Sequence, residues 1–169
     1  WGSERVVPGW PRQPDGPVRV SLEKPATSLA VGRRHACVLD ADGRASCWGW
    51  NVDGETGTGT SGVDQAMVPR PTPVMSEDRF SSLSAGLSFT CGVATDSSVL
   101  CWGSNIDQVL GPSAPERCGD VGPVPCSTRP VPITLPERMT EVSSGTAHVC
   151  ARSESGKVWC WGANTAGQA

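Results

Sequence analysis

The chain has 169 residues, which is the length of one ordinary domain. Its formal net charge of −3 gives no electrostatic footprint for nucleic acid. No stretch approaches the roughly 18 uninterrupted apolar residues of a membrane-spanning helix, so we expect neither nucleic-acid binding nor membrane insertion.

Glycine, proline and cysteine dominate the composition. The 20 Gly and 15 Pro interrupt the sequence too often for long helices, which favours short strands joined by many turns. The eight Cys are either metal ligands or disulfides at this length. Because the dense zinc and haem spacings C-x-x-C and C-x-x-C-H are absent, we predict disulfides, no metal site and an oxidising compartment.

One phrase occurs three times and organises the chain. The copies begin at Gly32, Gly86 and Gly145. In each copy a Cys follows the Gly by five residues, a second Cys follows by ten more, and that second Cys opens Cys-Trp-Gly-x-Asn. Self-similarity at a spacing of about 50 residues predicts a repeat architecture.

In chain order, the sequence begins and ends inside this phrase. Trp1 opens the same Trp-Gly-x that follows Cys47, and residues 163–169 start a further unit. We therefore expect a longer array, with a Cys immediately before Trp1 and another ten residues upstream of it. Residues 1–169 then form a section of one repeat domain, with units of approximately 1–47, 48–101, 102–160 and a partial unit 161–169.

Each unit repeats its parts in a fixed order. A Gly-, Pro- and Ser-rich excursion follows Trp-Gly, then come a short run introduced by Pro, a second run that leads to the Gly of the phrase, and the Cys-bearing strands. The runs introduced by Pro are 18–22, 73–75 and 131–135, and the second runs are 28–31, 80–85 and 139–144. Three to four short strands in about 50 residues are typical of a propeller blade.

The turn of the Cys-bearing hairpin sets its register. In the first copy Gly43 supplies the left-handed angle after a type I turn, and counting outward places Cys37 opposite Cys47. Alternation of the ladder makes this a non-hydrogen-bonded pair with Cα atoms about 4.5 Å apart, within the range of a disulfide. The same count predicts two further disulfides, Cys91 with Cys101 and Cys150 with Cys160.

Two features depart from this regularity. Ser97 stands where the other two turns have Gly, so the middle turn should be strained or differently built. Cys118 and Cys126 lie outside the repeat, in the longest segment between phrases. We predict that they form a fourth, local disulfide that pins an inserted loop.

Aromatic side chains flank each predicted disulfide. Trp48, Trp102 and Trp161 each follow the second Cys directly, and because side chains alternate across a strand, each Trp lies on the face opposite the disulfide. Both faces of a hairpin must then be hidden, which favours a blade between two neighbours. One step further, His35, Phe89 and His148 face Gly49, Gly103 and Gly162, and we expect each ring to lie over that cross-strand Gly.

These residues resemble the repeats of the regulator of chromosome condensation family, whose pattern runs roughly Ala-Gly-x-x-His-x-Cys-x-Leu, turn, Gly-x-Val, aromatic, Cys-Trp-Gly-x-Asn. Here it is carried by residues 31–51, 85–111 and 144–168. The resemblance implies an all-β, seven-bladed propeller, of which this chain forms about three blades plus a partial one. A Cys pair in every blade resembles the secreted, bacterial branch of the family.

No residue pattern points to catalysis. His35 and His148 are the only histidines, and Phe89, which can act neither as a base nor as a metal ligand, holds the corresponding place in the middle copy. The acidic residues recur at no spacing that would make a general acid and base, and no phosphate cradle or nucleophile elbow is present. We therefore expect no enzyme activity, no catalytic residue and no cofactor.

Rim loops are the natural candidates for binding, because loops on a rigid scaffold carry function. Trp50 stands out, since the matching positions are Ser104 and Ala163 and the repeat needs no large ring there. It is either an exposed anchor for a partner or a packing residue against the next blade. The candidate binding residues are Trp10, Arg33, Arg34 and Trp50.

The sequence thus predicts a non-catalytic binding or assembly module, secreted or on the cell surface, that presents its rim loops to a protein partner. A carbohydrate-binding propeller of an adhesin is an alternative, and aromatic residues recurring in each rim pocket would favour it. A structural subunit of a large extracellular assembly is a third. The founder of the family promotes nucleotide exchange on a small GTPase, and that activity comes last because every blade carries a Cys pair suited to an oxidising space.

Overall fold

The structure is a computed structural model that describes residues 16–112, 114–119 and 122–169. The regular secondary structure of the described residues is β-strand, apart from one short 3-10 turn at Val63–Gln65. Three antiparallel sheets follow one another along the chain, and we call them blades 1, 2 and 3. None of the described residues belongs to a helix long and apolar enough to cross a membrane.

Blade 1 has four strands and blade 2 has five. Blade 1 has the order β1 (Ala26–Val31), β2 (His35–Asp40), β3 (Ala45–Trp50), β4 (Met67–Pro73). Blade 2 has the order β5 (Phe80–Ala85), β6 (Phe89–Ala94), β7 (Val99–Ser104), β9 (Val124–Ile133), β8 (Glu116–Cys118). Blade 3 has the order β10 (Met139–Ser144), β11 (His148–Ser153), β12 (Val158–Gly162). The blades run out of phase with the sequence units, since β3 spans the boundary between 47 and 48.

The central hairpin of each blade has the register that its turn predicts. Cys37 lies opposite Cys47, and a disulfide joins them with a Cα–Cα distance of 4.1 Å. The equivalent bridges, with Cα–Cα distances of 4.0 and 4.1 Å, join Cys91 to Cys101 and Cys150 to Cys160. Ser97 takes φ +70°, almost the angle of Gly43 at +73°. The middle turn therefore has the same build as the others, at the cost of a left-handed angle on a residue with a Cβ.

The fourth disulfide lies in the insertion of blade 2. Cys118 on β8 is bonded to Cys126 on β9, with their Cα atoms 5.8 Å apart. Because β8 pairs with β9 on its far side from β7, the inserted segment adds a strand to the outside of the blade. The bridge ties that added strand to the body of the sheet.

The outer strands differ from the expected runs. The strand in blade 1 is Met67–Pro73, which ends where the run 73–75 was expected to begin, and residues 18–22 form no strand. The equivalent strand of blade 2, Val124–Ile133, overlaps the expected run 131–135 only at its end. The prolines lie inside these strands and do not introduce them. An outer strand tolerates proline because positions that face away from the sheet need no N–H donor.

The predicted position of the aromatic rings over the cross-strand Gly is also wrong. His35 does lie opposite Gly49 in the register, but its ring packs over Gly32, where a Cβ would collide with the imidazole. The missing side chain of Gly49 makes room for the backbone of Arg34 instead. The ring thus folds back onto the Gly that opens the phrase, which explains why that Gly recurs three residues before every ring.

Two hydrophobic clusters lie between the blades. Seam 1, between blades 1 and 2, buries the disulfide Cys37–Cys47 against Phe80 and Trp102. Seam 2, between blades 2 and 3, buries the disulfide Cys91–Cys101 together with Met139, Val142 and Val149 of blade 3. Every residue of β6 and β7 is buried. Blade 2 therefore hides its disulfide on one face and its Trp on the other, as the alternation of side chains predicts.

Candidate functional site

The Asn that ends each phrase shapes the loop that follows it. The Asn51 Oδ1 accepts a hydrogen bond from the backbone N–H of Thr56 at 3.1 Å. The Asn105 Oδ1 accepts one from Leu110 at 2.7 Å, and the Asn164 Oδ1 accepts one from Ala169 at 3.0 Å. The acceptor and donor are five residues apart in all three copies. We call these segments, 51–57, 105–111 and 164–169, the rim loops.

The first two rim loops each hold the Trp of the next blade. The Trp102 Nε1 donates to the Glu55 carbonyl at 3.0 Å, and the Trp161 Nε1 donates to the Val109 carbonyl at 2.8 Å. Glu55 and Val109 both stand four residues after the Asn of their phrase. The repeated Cys-Trp-Gly-x-Asn therefore stabilises the stacking of blades. Its Asn fixes the rim loop so that a backbone carbonyl accepts a hydrogen bond from the Trp of the following blade.

Seam 1 also contains a buried polar chain. The Thr90 hydroxyl donates to the Glu55 carbonyl at 3.0 Å and lies 2.8 Å from the His35 Nε2. Since the hydroxyl hydrogen is used toward Glu55, the imidazole carries its hydrogen on Nε2 and donates it to Thr90. Burial lowers the pKa of His35 to about 4, so the ring is neutral at physiological pH.

Two carboxylates of the first rim loop adjoin this chain. Glu55 is 1% exposed, its carboxylate accepts the Asp53 N–H at 2.9 Å, and burial raises its pKa to about 8. Burial also raises the pKa of Asp53, partly offset by a hydrogen bond from Ser88 across the seam. Because His35 and Glu55 are both sealed between blades, no substrate can reach them. The chain of polar groups closes the seam and offers no reaction centre.

One cluster of potential metal ligands occurs among the described residues. It brings Glu116 close to Cys118 and Cys126. The two sulfurs are joined in a disulfide, and the Glu116 carboxylate accepts the Thr128 N–H at 3.0 Å. Cysteine binds a metal as its thiolate, so the two sulfurs of this group are not available as ligands in the oxidised protein.

An accessible group of predicted binding residues comes together at the rim of blade 1. The Arg34 guanidinium lies over the Trp50 ring, with Cζ 5.2 Å from the ring centroid, a cation–π arrangement. The Trp50 N–H donates to the Arg34 carbonyl at 2.8 Å. Arg33 is exposed beside them, and Met67 lies opposite Trp50 on β4. We call these four residues the basic–aromatic patch. The fifth candidate, Trp10, lies outside the described residues.

The two rims of the blades differ in how their charges are used. At the rim opposite the patch, three lysine and arginine side chains are paired with carboxylates, in the pairs Lys24–Asp42, Lys157–Glu137 and Arg138–Glu154. Arg44 and Arg79 lie on the same rim and form no ion pair with a described residue. Within the described ranges neither Arg33 nor Arg34 forms an ion pair. Exposed apolar side chains lie on the same rim as the patch, among them Leu87 and Ile106. The patch is therefore a positive surface with apolar neighbours.

Residues 26–55, 80–107 and 139–168 match the family described as the Regulator of chromosome condensation (RCC1) repeat, which covers just over half of the chain. The chain belongs to the RCC1 repeat family. Each matched stretch runs from the first strand of a blade into its rim loop. Arg33, Arg34 and Trp50 lie within the first matched stretch, whereas Met67 lies outside it.

Full-length relatives are considerably longer than this chain. It is 27% identical over 143 residues to the Ultraviolet-B receptor UVR8 of Arabidopsis thaliana, covering 83% of this chain and 30% of that protein. It is 27% identical over 154 residues to the human Regulator of chromosome condensation, covering 90% of this chain and 34% of that protein. The chain spans about a third of the length of the curated relatives it matches.

Solved structures show the same fold at low sequence identity. The crystal structure of yeast RCC1 (Prp20) bound to Kap60 matches with a TM-score of 0.71 and 21% identity, over 82% of this chain and 32% of that one. The crystal structure of human WBSCR16 matches with a TM-score of 0.72 and 17% identity, over 84% of this chain and 34% of that one. The three sheets are accordingly blades of an RCC1-type β-propeller, as the sequence predicts.

Several structurally important residues escaped the sequence reasoning. Glu55 and Thr90 look like ordinary polar residues of a loop and a strand, and their pairing joins segments far apart in sequence. A usable signal existed in the repeat itself. His35 of copy one pairs with Thr90 of copy two, and the equivalent pair between copies two and three is Phe89 with Val149. Both members of the first pair are polar and both members of the second are apolar.

Proposed function

We propose that this chain is a section of a non-catalytic, extracellular RCC1-type propeller that binds another protein through the basic–aromatic patch. The observation that carries the proposal is the contrast between the rims, since three lysine and arginine side chains are paired with carboxylates on one rim, whereas Arg34 stacks on Trp50 beside exposed apolar side chains on the other. Trp50 is half-buried and both arginines are exposed, and Trp and Arg are among the residues most enriched at energetically important positions of protein interfaces. A partner with acidic side chains around an apolar contact fits this surface.

Two further points support a binding role. The two buried groups with strongly shifted pKa values, His35 and Glu55, are sealed in seam 1 and cannot act on a substrate. The solved relatives include yeast RCC1 bound to Kap60, and Prp20p, whose structure was described with its binding properties to Gsp1p and histones. We extend only the general behaviour, recognition of a protein by a rigid propeller. Trp50 has no aromatic counterpart at Ser104 or Ala163, which removes the support for a repeated carbohydrate pocket.

The disulfides support an extracellular location for the protein. All eight cysteines are paired in the structure, two of the bridges in sealed seams. Disulfides in every blade favour an oxidising environment, so we propose that the protein is secreted or lies at the cell surface, like the secreted bacterial branch of the family that its Cys pairs resemble. Alkylation of the denatured, unreduced protein should leave its mass unchanged, and reduction should expose all eight thiols. Free thiols before reduction would move the protein into a reducing compartment and restore nucleotide exchange as the leading hypothesis.

The binding proposal is tested by site-specific photo-crosslinking. A benzophenone amino acid at Leu87, exposed next to the patch, is irradiated in the extracellular fraction of the source organism. The protein adduct should disappear when Arg33→Glu and Arg34→Glu are combined. The matched control, Arg138→Glu with Lys157→Glu, reverses two charges on the opposite rim and should keep the adduct. An adduct that survives in the patch variant but is lost in the control would place the interface on the other rim.

A further inference from the structure

Blade 2 has a longer connection than blade 1 between its rim loop and its outer strand. In blade 1 the Asn51 N–H donates to the Ala66 carbonyl at 2.9 Å, and in blade 2 the equivalent bond joins the Asn105 N–H to the Pro125 carbonyl at 2.7 Å. The bonded residues are 15 positions apart in the first copy and 20 in the second. The second copy therefore has five additional residues at this point of the rim.

The additional length forms a hairpin closed by the disulfide between Cys118 and Cys126. We call this element the blade 2 hairpin, residues 116–119 and 122–126. Cys118 on β8 lies opposite Val124 on β9, beyond the end of β7. Gly119 and Gly122 flank the tip with φ angles of +84° and +73°, and a Cβ at either position would have no atom within 4 Å. The glycines thus serve the turn and not close packing, and the hairpin projects into open space.

The corresponding segment of blade 1 makes the same connection without a hairpin. The Gly62 N–H donates to the Val52 carbonyl at 3.0 Å. The Asn51 Nδ2 donates to the Thr60 carbonyl at 2.9 Å. Hydrogen bonds within the segment therefore hold it against the rim loop from which it starts. A projecting, disulfide-closed hairpin is thus not required to build a blade, and its presence in blade 2 calls for another role.

The blade 2 hairpin rises from the rim that carries the basic–aromatic patch. Cys126 lies opposite Ser104, just as Met67 of the patch lies opposite Trp50 in blade 1. The first rim loop and the turn after it link the two elements, because the loop begins directly after Trp50 and the turn is hydrogen bonded to β9 of blade 2. Packed sheets lie about 10 Å apart, and a standard interface covers about 800 Å² per partner, roughly 30 Å across. One partner of ordinary size can therefore contact both elements.

The exposed surface of the hairpin has the same chemical character as the patch. Arg117 is exposed and forms no ion pair with a described residue, and Pro123 is exposed beside the half-buried Val124. The Glu116 carboxylate accepts the Thr128 N–H at 3.0 Å and so faces the sheet. A positive side chain next to apolar ones thus recurs in the hairpin.

We propose that the protein bound by the basic–aromatic patch also holds the blade 2 hairpin, in a recess beside its acidic surface. The partner is the one of the proposed function, on which this assignment rests, and the hairpin adds a requirement on its shape. Because the hairpin projects beyond the rim, a flat partner that approached the patch would meet the hairpin first, whereas a recess receives it. The disulfide fixes the hairpin before binding, which lowers the entropy lost on association. The contacts from the hairpin are those of Arg117, Pro123 and Val124.

Photo-crosslinking from the hairpin gives the first test. A benzophenone amino acid at Pro123 should form an adduct with the same protein as the one at Leu87, identified by mass spectrometry, and Arg33→Glu with Arg34→Glu should abolish both adducts. An adduct at Leu87 without one at Pro123, or a Pro123 adduct that survives the patch variant, would overturn the role of the hairpin and leave the proposed function standing. The absence of an adduct at Leu87 would remove both.

Calorimetric titration with that protein, once purified, gives the second test. Arg117→Glu should weaken binding by about tenfold or more, whereas the matched charge reversal Arg70→Glu, at an exposed residue of β4, should leave it unchanged. Cys118→Ser with Cys126→Ser keeps the other three disulfides and should also weaken binding, because the hairpin must then be ordered on association. Near-UV circular dichroism verifies the fold of each variant. A double Ser variant that loses stability in urea and keeps its affinity would overturn the proposal, since the disulfide would then be only structural.

Discussion

Seams 1 and 2 share one backbone plan and differ in side-chain chemistry. Both bury a disulfide of one blade against the next, and both fix a Trp through the fourth carbonyl after Asn. At the centre of seam 1, however, His35 is hydrogen bonded to Thr90, whereas seam 2 has the apolar residues Phe89 and Val149 in the equivalent places. Stacking of the blades therefore depends on the rim-loop carbonyl, the Trp ring and the recurring position of the glycine in each copy, whereas the polarity of the side chains at the centre of a seam can vary.

The consequence is that only seam 1 contains buried titratable groups among the residues compared. His35 and Glu55 lie there, and the residues at the corresponding positions of seam 2 are Phe89 and Val109. The pH dependence of stability should therefore arise from one seam while the other stays insensitive. Four experiments test this difference between the two seams.

The largest effect is expected from removing the buried Trp of seam 1. Trp102→Ala deletes a fully buried ring that packs on Phe80 with centroids 5.8 Å apart and loses the bond to Glu55. Truncation of such a ring typically costs about 3–5 kcal/mol. Trp161→Ala in seam 2 should cost less, because that ring is only half-buried. Urea unfolding measures both free energies, and equal losses would contradict the ranking.

The next largest effect is the pH dependence that Glu55 imposes. Its pKa is about 8 in the folded chain and near 4.5 when unfolded, so the folded state holds a proton that the unfolded state releases. Stability is therefore full below about pH 4.5 and falls as the pH rises through about 8. Each tenfold difference in proton affinity corresponds to about 1.4 kcal/mol, so the fall amounts to several kcal/mol.

Glu55→Gln should remove most of this loss of stability with rising pH, as measured by urea unfolding between about pH 5 and about pH 9. Glu77→Gln removes an exposed carboxylate and serves as the matched control, since it should leave the profile unchanged. A profile that keeps its alkaline loss in Glu55→Gln would assign the effect to another group.

Exchanging the polar pair of seam 1 for the apolar pair of seam 2 gives a smaller effect. His35→Phe or Thr90→Val alone leaves a buried polar group without its partner, a cost of about 1–3 kcal/mol. Together they reproduce Phe89 and Val149, and the double variant should recover part of the loss, which a double-mutant cycle measures. Additive losses would show that the pair is not coupled.

The same exchange has an acid signature. The pKa of His35 is lowered from 6.5 to about 4, so the unfolded chain takes up a proton first and wild-type stability is lost as the pH falls through this interval. The double variant should lack that acid loss. Unfolding at pH values between these two pKa values provides the readout.

The smallest effect concerns the turns at the opposite rim. The Gly43 carbonyl accepts the Phe80 N–H across seam 1 at 2.8 Å, and the Ser97 carbonyl accepts the Met139 N–H across seam 2 at 2.9 Å. Ser97→Gly removes the Cβ from a left-handed angle and should stabilise the chain by about 1 kcal/mol. Gly43→Ser should destabilise it, because the new Cβ would lie 2.8 Å from the Phe80 carbonyl oxygen. Thermal unfolding compares the two, and a destabilised Ser97→Gly would contradict the expectation.

Local features of the fold could be predicted from the sequence, and contacts between distant segments could not. The pairing of Cys37 with Cys47 follows from one turn, because the alternation of a ladder propagates outward from it. The predicted position of the His35 ring was wrong, because strand register determines which residues lie opposite each other but not the direction in which a side chain turns. The outer strand Met67–Pro73 was misplaced, because its prolines look like strand breakers until the strand is known to be at an edge.

The candidate site shows the same division. Composition at the rim singled out Arg33, Arg34 and Trp50, and the structure brings Arg34 onto Trp50. Their neighbour Met67 comes from a strand 17 residues further along the chain, and only the pairing of β3 with β4 places it there. The ion pairs of the opposite rim distinguish its charge from that of the patch. They depend on contacts such as Lys24 with Asp42, which the sequence periodicity does not predict.

Of the three hairpin bridges, the one between Cys150 and Cys160 is open to dissolved thiols, whereas those in the two seams are covered. Attack by a thiolate requires access to a sulfur, so a mild reductant should cut this bridge long before the others. Reduction of the described residues would therefore begin at blade 3 and reach the other two hairpin bridges only as each seam opens.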